Sequence, residues 1–211
     1  MWNNVNQESE QGICLYHLGM VVENNDPLKM QRIKVTVPNR MEGPVADLDW
    51  VGPIAQSPFG VGPNFGSMFV PAIGSVVLVY FQDDNIKYGL YAGSAISVKH
   101  TPHNELLTNY PKRYGFSDPA GNLFYTDYTD GQVKLHIKHK SGTQITVDNA
   151  GNVTLNVVGN TSLSTQGNTS IATQGNTSLT TQGTTSISSQ GTVSITSSSA
   201  INASAPTINL N

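Results

Sequence analysis

The chain is poor in cysteine and lacks long apolar segments. Its one cysteine, Cys14, excludes an intramolecular disulfide and a cysteine-based zinc cluster. No apolar run approaches the roughly 18 residues of a membrane-spanning helix. Residues 1–10 combine neither a basic head nor an apolar core, so we expect no secretory signal and a product of the cytoplasm that makes it.

Charge is also scarce, and it is unevenly distributed. Charged side chains make up 12% of the 211 residues, about half the usual share. The 11 basic and 14 acidic residues give a net charge of −3, which argues against a nucleic-acid binder that works by neutralising phosphates. No Lys, Arg, Asp, Glu or His follows Asp148, so an acidic head and a mixed middle precede a neutral tail.

The neutral tail is an eight-residue repeat. Its glycines recur at a constant spacing, at Gly159, Gly167, Gly175, Gly183 and Gly191. An aliphatic residue follows each of them at a fixed offset, at Leu163, Ile171, Leu179, Ile187 and Ile195. Repetition in one phase indicates stacked identical units. Serine and threonine dominate each unit and oppose helix, so we predict a short strand and a turn per unit, with glycine supplying the corner backbone angles.

A single tail has too little apolar side chain to bury. Ordering each residue of a unit costs about 1–2 kcal/mol of backbone entropy, whereas the unit's one aliphatic side chain contributes about 1.5–3 kcal/mol when buried. We therefore predict that three chains wind into a needle-like β-helix, in which Leu or Ile side chains of all three meet at each level. Such winding also removes exposed sheet edges. The alternative is a disordered linker rich in Ser, Thr and Gly.

The head predicts a small β-barrel. Residues 13–23 and 75–81 are strand-like, and Ile33, Val35 and Val37 alternate on one face of another strand. Two further short segments begin near Trp50 and Lys87. Five short strands in about 85 residues fit an oligonucleotide/oligosaccharide-binding (OB) barrel. The head lacks the basic groove of a single-strand binder, so its aromatic residues are predicted to be core or trimer contacts.

Three groups of residues, in this order, carry a family resemblance. The head contributes Asn25-Asp26-Pro27, residues 31–35 and residues 70–81. The middle contributes residues 118–122 and 140–153, and the tail contributes the glycine repeat. Together they resemble the central spike proteins of contractile injection machines, which include T-even-type phage baseplate spikes and the valine–glycine repeat spikes of type VI secretion. The resemblance implies an all-β chain, with an OB domain followed by a trimeric, intertwined β-helix of octapeptide repeats.

The resemblance also implies a domain plan and a role. The plan is an OB domain (1–98), a connector (99–142) and a trimeric β-helix spike (143–211). The role is that of a non-enzymatic homotrimer in the virion tail baseplate, which punctures the host envelope when the contractile tail shortens. The larger hub domain of the secretion spikes is missing, so a separate baseplate hub protein would bind the OB domain.

The C-terminal end is the predicted docking site for a further partner. Some short phage spikes hold iron at the tip through a His-x-His pair, and this tail contains no histidine. The resemblance therefore implies a separate tip protein of the proline-alanine-alanine-arginine type. Its docking residues would be Pro206, Ile208 and Leu210, where the octad pattern ends.

Three other functions stay open at this point. The chain could serve a type VI secretion or tailocin apparatus instead of a phage. It could be a cell-wall hydrolase using Glu105 or Asp118, although that chemistry needs two carboxylates in a cleft and the connector is too short for a lysozyme domain. It could be a fibre or adhesin, which the lack of any aromatic residue after Tyr128 disfavours.

The histidines do not predict a metal site. His136 and His139 stand three apart on a predicted strand, which places their rings on opposite faces. His100 and His103 flank a loop but lack a third ligand. The sequence therefore predicts no catalytic residue, no metal and no cofactor.

Overall fold

A computed structural model describes residues 16–54 and 62–208 of the chain. Contacts divide the chain into two units, Met1–Ser162 and Leu163–Asn211. The first unit contains two five-stranded sheets. Apart from strands, the described residues form one four-residue helix and three single 3-10 turns, so the predicted all-β class is confirmed.

The first sheet curls into a partly open barrel. Its strands are β1 (Tyr16–Glu23), β2 (Lys34–Thr36), β3 (Gly52–Pro53), β4 (Val76–Phe81) and β5 (Gly89–Ser94). They are ordered β2-β1-β4-β5-β3. Ile33 and Val51, which precede the two edge strands, exchange backbone hydrogen bonds of 3.0 and 2.8 Å. This connectivity is that of the five-stranded, partly open OB fold.

Branched aliphatic side chains fill the barrel. Ile33, Val35 and Val37 alternate along the chain and are all buried, as the period of two predicts. They pack with the buried side chains of β1, β4 and the segment before β3, namely Val21, Val77, Val79 and Val51. The predicted strand face is therefore confirmed, and the barrel has a single aliphatic core.

A loop tied by one carboxylate joins β1 to β2. Asp26 accepts hydrogen bonds from the backbone N–H groups of Leu28 and Met30, at 3.0 and 2.8 Å. The Arg32 guanidinium forms an ion pair with the same carboxylate at 2.6 Å. The bond from Arg32 is the largest of the effects that hold the pKa of Asp26 well below its usual range. The segment Asn25-Asp26-Pro27 is therefore part of a loop that the Asp26 carboxylate closes.

The second sheet is an antiparallel meander preceded by a short helix. Helix α1 (Asn104–Leu107) leads into β6 (Arg113–Ser117), β7 (Leu123–Asp127), β8 (Lys134–Lys138), β9 (Gln144–Val147) and β10 (Val153–Asn156). Each strand pairs with the next in the chain, in the order β10-β9-β8-β7-β6. The sheet runs through residue 142, at which the connector was predicted to end; that domain boundary stays a prediction.

Two turns of the second sheet share the same hydrogen bonds and glycine conformation. Asp118 and Asp148 each accept a hydrogen bond of 2.9 Å from the backbone N–H of an asparagine four residues later. The glycines before those asparagines, Gly121 and Gly151, have φ of 92° and 80°. A side chain at that angle would be strained, so glycine is required there. The bonds from Asn122 and Asn152 lower the pKa of the two carboxyl groups.

The tail forms the second unit and contains no strand among its described residues, 163–208. The chain bends at each of the repeat glycines, Gly159, Gly167, Gly175, Gly183 and Gly191. None of these glycines has a positive φ. The single chain therefore has no left-handed backbone angle at these glycines, and their role at the corners of a wound trimer stays a prediction. The short strand expected in each unit is also missing, because a lone chain offers it no neighbouring strand to pair with.

Threonine hydroxyls hold the bends of the tail. Thr165 Oγ1 donates to the carbonyl oxygen of Gly167 at 3.1 Å and lies 3.0 Å from Thr169 Oγ1. The next two units repeat the same pair of contacts. In the fourth unit Val193 replaces the second threonine, and Ser189 Oγ accepts instead from the N–H of Gly191. These hydroxyl contacts are therefore local to each bend.

Candidate functional site

The two faces of the second sheet differ in charge. One face carries Arg113, Asp127, His136 and Lys138 and lies under α1. The other face carries two rows of side chains that cross all five strands. The first row is Tyr114, Thr126, Leu135, Val147 and Val153, and the second is Phe116, Phe124, Ile137, Ile145 and Leu155. Neither row contains a charge.

A buried ion pair anchors the polar face. The Arg113 Nη2 and Asp127 Oδ2 atoms are 2.8 Å apart, and the two side chains are 8% and 1% exposed. Asn109 and the backbone N–H of Thr129 also donate to the carboxylate of Asp127. Burial raises the pKa of Asp127, but the bonds from Thr129, Arg113 and Asn109 outweigh it and hold that pKa well below its usual range. The guanidinium also lies 4.2 Å from the ring centre of Tyr125.

The candidate catalytic carboxylates are both engaged in structural contacts. Glu105 in α1 pairs with Lys138 on β8. The bond from Lys138 lowers the pKa of Glu105, and the bond from Asn122 lowers that of Asp118. A glycosidase acid requires a raised pKa and a second carboxylate across a cleft. Neither Glu105 nor Asp118 has these properties.

The histidines occupy separate positions. His136 is buried on the polar face, where its ring packs against Tyr125 in a tilted arrangement with 4.9 Å between the ring centres, and its Nδ1 lies 2.9 Å from Thr146 Oγ1. Burial lowers the pKa of His136. His139 lies beyond β8, in the following turn, and its Nδ1 accepts from the backbone N–H of Ser141 at 3.2 Å. The two rings are therefore separate because His139 lies in the turn after the strand, and not because both residues alternate along one strand as predicted.

The remaining histidine pair also shows no ligand geometry. His100 and His103 line a groove of about 590 Å³. Their Nδ1 atoms contact Ser97 Oγ at 3.1 Å and the backbone N–H of Glu105 at 3.2 Å. Within residues 16–54 and 62–208, no group of three His, Cys, Asp or Glu side chains is placed to hold a metal ion.

The apolar face of the second sheet is open in the single chain. Phe116 is 58% exposed, Ile137 45% and Leu155 56%. Phe116 and Phe124 stack at 5.5 Å, and Phe116 meets Phe69 of the head edge-on at 6.4 Å. Sequence reasoning missed this face as a unit. The available signal was the alternation of apolar residues in β8, β9 and β10.

The first sheet also has an exposed apolar outer face. β1 places Tyr16, Leu18 and Met20 on the side opposite the core. Leu78 pairs with Leu18, and Leu90 lies on the neighbouring strand β5. All five side chains are more than a third exposed. Such a contiguous apolar patch is typical of an interaction surface.

The aliphatic side chains of the repeat are the most exposed apolar set in the tail. Leu163, Ile171, Leu179, Ile187 and Ile195 are 70–78% exposed. The predicted docking residues Pro206 and Ile208 are exposed as well, whereas Leu210 lies outside the described residues, as does Cys14. The tail therefore has no core of its own.

The chain combines a five-stranded barrel of the OB type, a second sheet with one uncharged face, and an uncharged repeat. Residues 17–95 match the family model of the type VI secretion system/phage-baseplate injector OB domain. The match covers nearly all of the first sheet and supports a baseplate spike family for the head, without singling out the T-even type. No curated protein matches the chain. In the described part of the chain, no helix has the length and apolarity needed to cross a bilayer.

Proposed function

We propose that this protein is the central spike of a contractile tail baseplate, a homotrimer whose tails wind into a shaft that punctures the host envelope. The observation that carries the proposal is the column of aliphatic side chains spaced eight residues apart and 70–78% exposed in one chain. The column follows an OB domain of the baseplate-injector type. Burying five such side chains would contribute about 8–15 kcal/mol per chain.

The repeat glycines support the same assembly. In a lone chain, a Cβ added at Gly159, Gly167, Gly175 or Gly183 would meet no atom within 4 Å. None of these residues has a positive φ either. Nothing within the chain therefore requires glycine at these bends. Close approach of a neighbouring chain would require it, since glycine is the residue that allows another backbone to come near.

The two ends of the spike would bind different partners. The outer apolar face of the first sheet, formed by Tyr16, Leu18, Met20, Leu78 and Leu90, is the surface we assign to the hub protein. The exposed end at Pro206 and Ile208 would carry a tip protein of the proline-alanine-alanine-arginine type. No nucleic acid, metal or cofactor enters this function. The envelope is contacted transiently, during contraction.

A spike of a type VI secretion or tailocin apparatus is the second candidate. The family description that matches the head names both secretion and phage machines. The mechanics of the trimer are the same in either setting.

The mass of the full chain in solution tests the proposal. Light scattering should give roughly three times 22.6 kDa, and the complex should resist detergent. In purified contractile particles, a gold label on the C-terminus should appear at the centre of the baseplate by electron microscopy. A single-chain mass at all concentrations would contradict the trimer, and a label elsewhere on the particle would contradict the spike position.

A further inference from the structure

The apolar face of the second sheet is open in the single chain, where Phe116, Ile137 and Leu155 are 45–58% exposed. Its two rows present aromatic and aliphatic side chains without one charge, over five strands. A face of this kind resembles the core of an obligate interface, which excludes charged residues. The charges of the sheet are all on the opposite face, where Arg113 is paired with Asp127 and Lys138 with Glu105.

The eight-residue spacing of the repeat extends into this face. Counting back from Leu163 in steps of eight gives Leu155 and then Val147. Both residues lie on the apolar face, in β10 and β9. The glycine phase carries back in the same way, from Gly159 to Gly151. The repeat therefore begins inside the sheet, and its first two aliphatic positions belong to the open face.

We propose that the apolar face of the second sheet packs against a second copy of this chain. The proposal rests on the trimeric function proposed above. It extends the contact between copies from the tail to β6, β7 and β8, which the sequence analysis assigned to the connector. The middle of the chain would then be a part of the trimer, and its polar face, with α1 packed on it, would be turned away from the partner copy.

Cysteine labelling in the full chain tests this proposal. The variants carry one thiol each, Ile137→Cys or Ile145→Cys on the apolar face and Thr154→Cys on the polar face, all in a Cys14→Ser background. In a lone chain, Ile137 and Ile145 are 45% and 43% exposed, and Thr154 is also exposed. Packing at an interface core excludes reagent. We expect the rate at which a small maleimide labels the Ile137→Cys and Ile145→Cys thiols to be at most about one-tenth of its rate at the Thr154→Cys thiol.

A fourth variant, Ile187→Cys in the tail, separates the two proposals. Fast labelling at both sheet positions would overturn the inference. If Ile187→Cys then labels slowly and the mass is that of three chains, the proposed spike function is unaffected. Fast labelling at all three apolar positions with a single-chain mass would overturn the spike function itself. Slow labelling at the sheet and tail positions supports both. Ile145→Cys serves as the second sheet variant if Ile137→Cys does not fold.

Discussion

The ion pair between Arg113 and Asp127 is the contact whose loss should weaken the second sheet most. Asp127→Asn keeps the shape of the side chain and removes its charge, which leaves a guanidinium 8% exposed without a counter-charge. Breaking a buried pair in this way costs about 3–5 kcal/mol. At 1.36 kcal/mol for each factor of ten, opening of the sheet should become roughly 150 to 5,000 times more frequent.

Hydrogen exchange of the full chain, read by mass spectrometry, measures this opening directly. Peptides covering residues 113–138 should exchange faster by that factor in Asp127→Asn, while peptides covering residues 33–37 of the barrel should not change. Asp130→Asn is the matched control, because Asp130 is 99% exposed and lies 3.6 Å from Lys112. Such a surface pair is worth about 0–1 kcal/mol. If Asp127→Asn exchanged no faster than Asp130→Asn, the reasoning about the buried pair would be refuted.

Three further changes give distinct results. Ile187→Asp should lower the melting temperature and detergent resistance of the trimer, because three carboxylates would meet in one level of the column. An unchanged melting temperature would show that Ile187 does not lie in the column. Gly115→Ala should lower the free energy of unfolding, measured with denaturant, by about 1–3 kcal/mol, because its Cβ would lie 2.2 Å from a carbonyl oxygen of β7. Gly52→Ala is the control and should be tolerated, because its Cβ would lie 3.5 Å from the nearest atom. The folded-state pKa of Asp118 is lowered, so its turn should be fully stabilised above about pH 4 and should lose that stabilisation as the pH falls further. If the protection factors of residues 118–122, corrected for the pH dependence of intrinsic exchange, did not decrease as the pH falls below about 4, this reasoning would be contradicted.

The strands of the head could be predicted because their signal is local. Ile33, Val35 and Val37 alternate in sequence, and alternation alone decides which face is buried. The clamp on Asp26 could not be predicted in the same way. It requires Arg32 to fold back over a loop in which Lys29 and Gln31 have positive φ, and no spacing rule encodes that geometry.

The second sheet shows a different limit of sequence reasoning. The segments around Asp118 and Asp148 were identified, but as parts of a connector and of a shaft. Their shared Asp-x-Ala-Gly-Asn pattern is a hairpin signal, and the apolar alternation on β8, β9 and β10 indicates one face. The loss of charged residues after Asp148 does not coincide with the end of the sheet, because β10 continues to Asn156.

In the tail, the period was readable and its physical reason was not. The spacing of the glycines and of the aliphatic residues is plain in the sequence. None of those glycines has a positive φ in the single chain, and no atom of the chain lies within 4 Å of a Cβ added at Gly159, Gly167, Gly175 or Gly183. The role of these glycines in packing against other copies stays a prediction.

The hydroxyl contacts of the tail each span four residues and stay beside their own glycine. Duplication or loss of a complete octad would therefore leave the bonds of every remaining unit intact, whereas an insertion of any other size would move the next aliphatic residue out of line. The reach of such a protein can change in fixed increments during evolution, through slippage over a short coding repeat, while the head stays the same. Related chains should consequently differ in length by multiples of eight in this region.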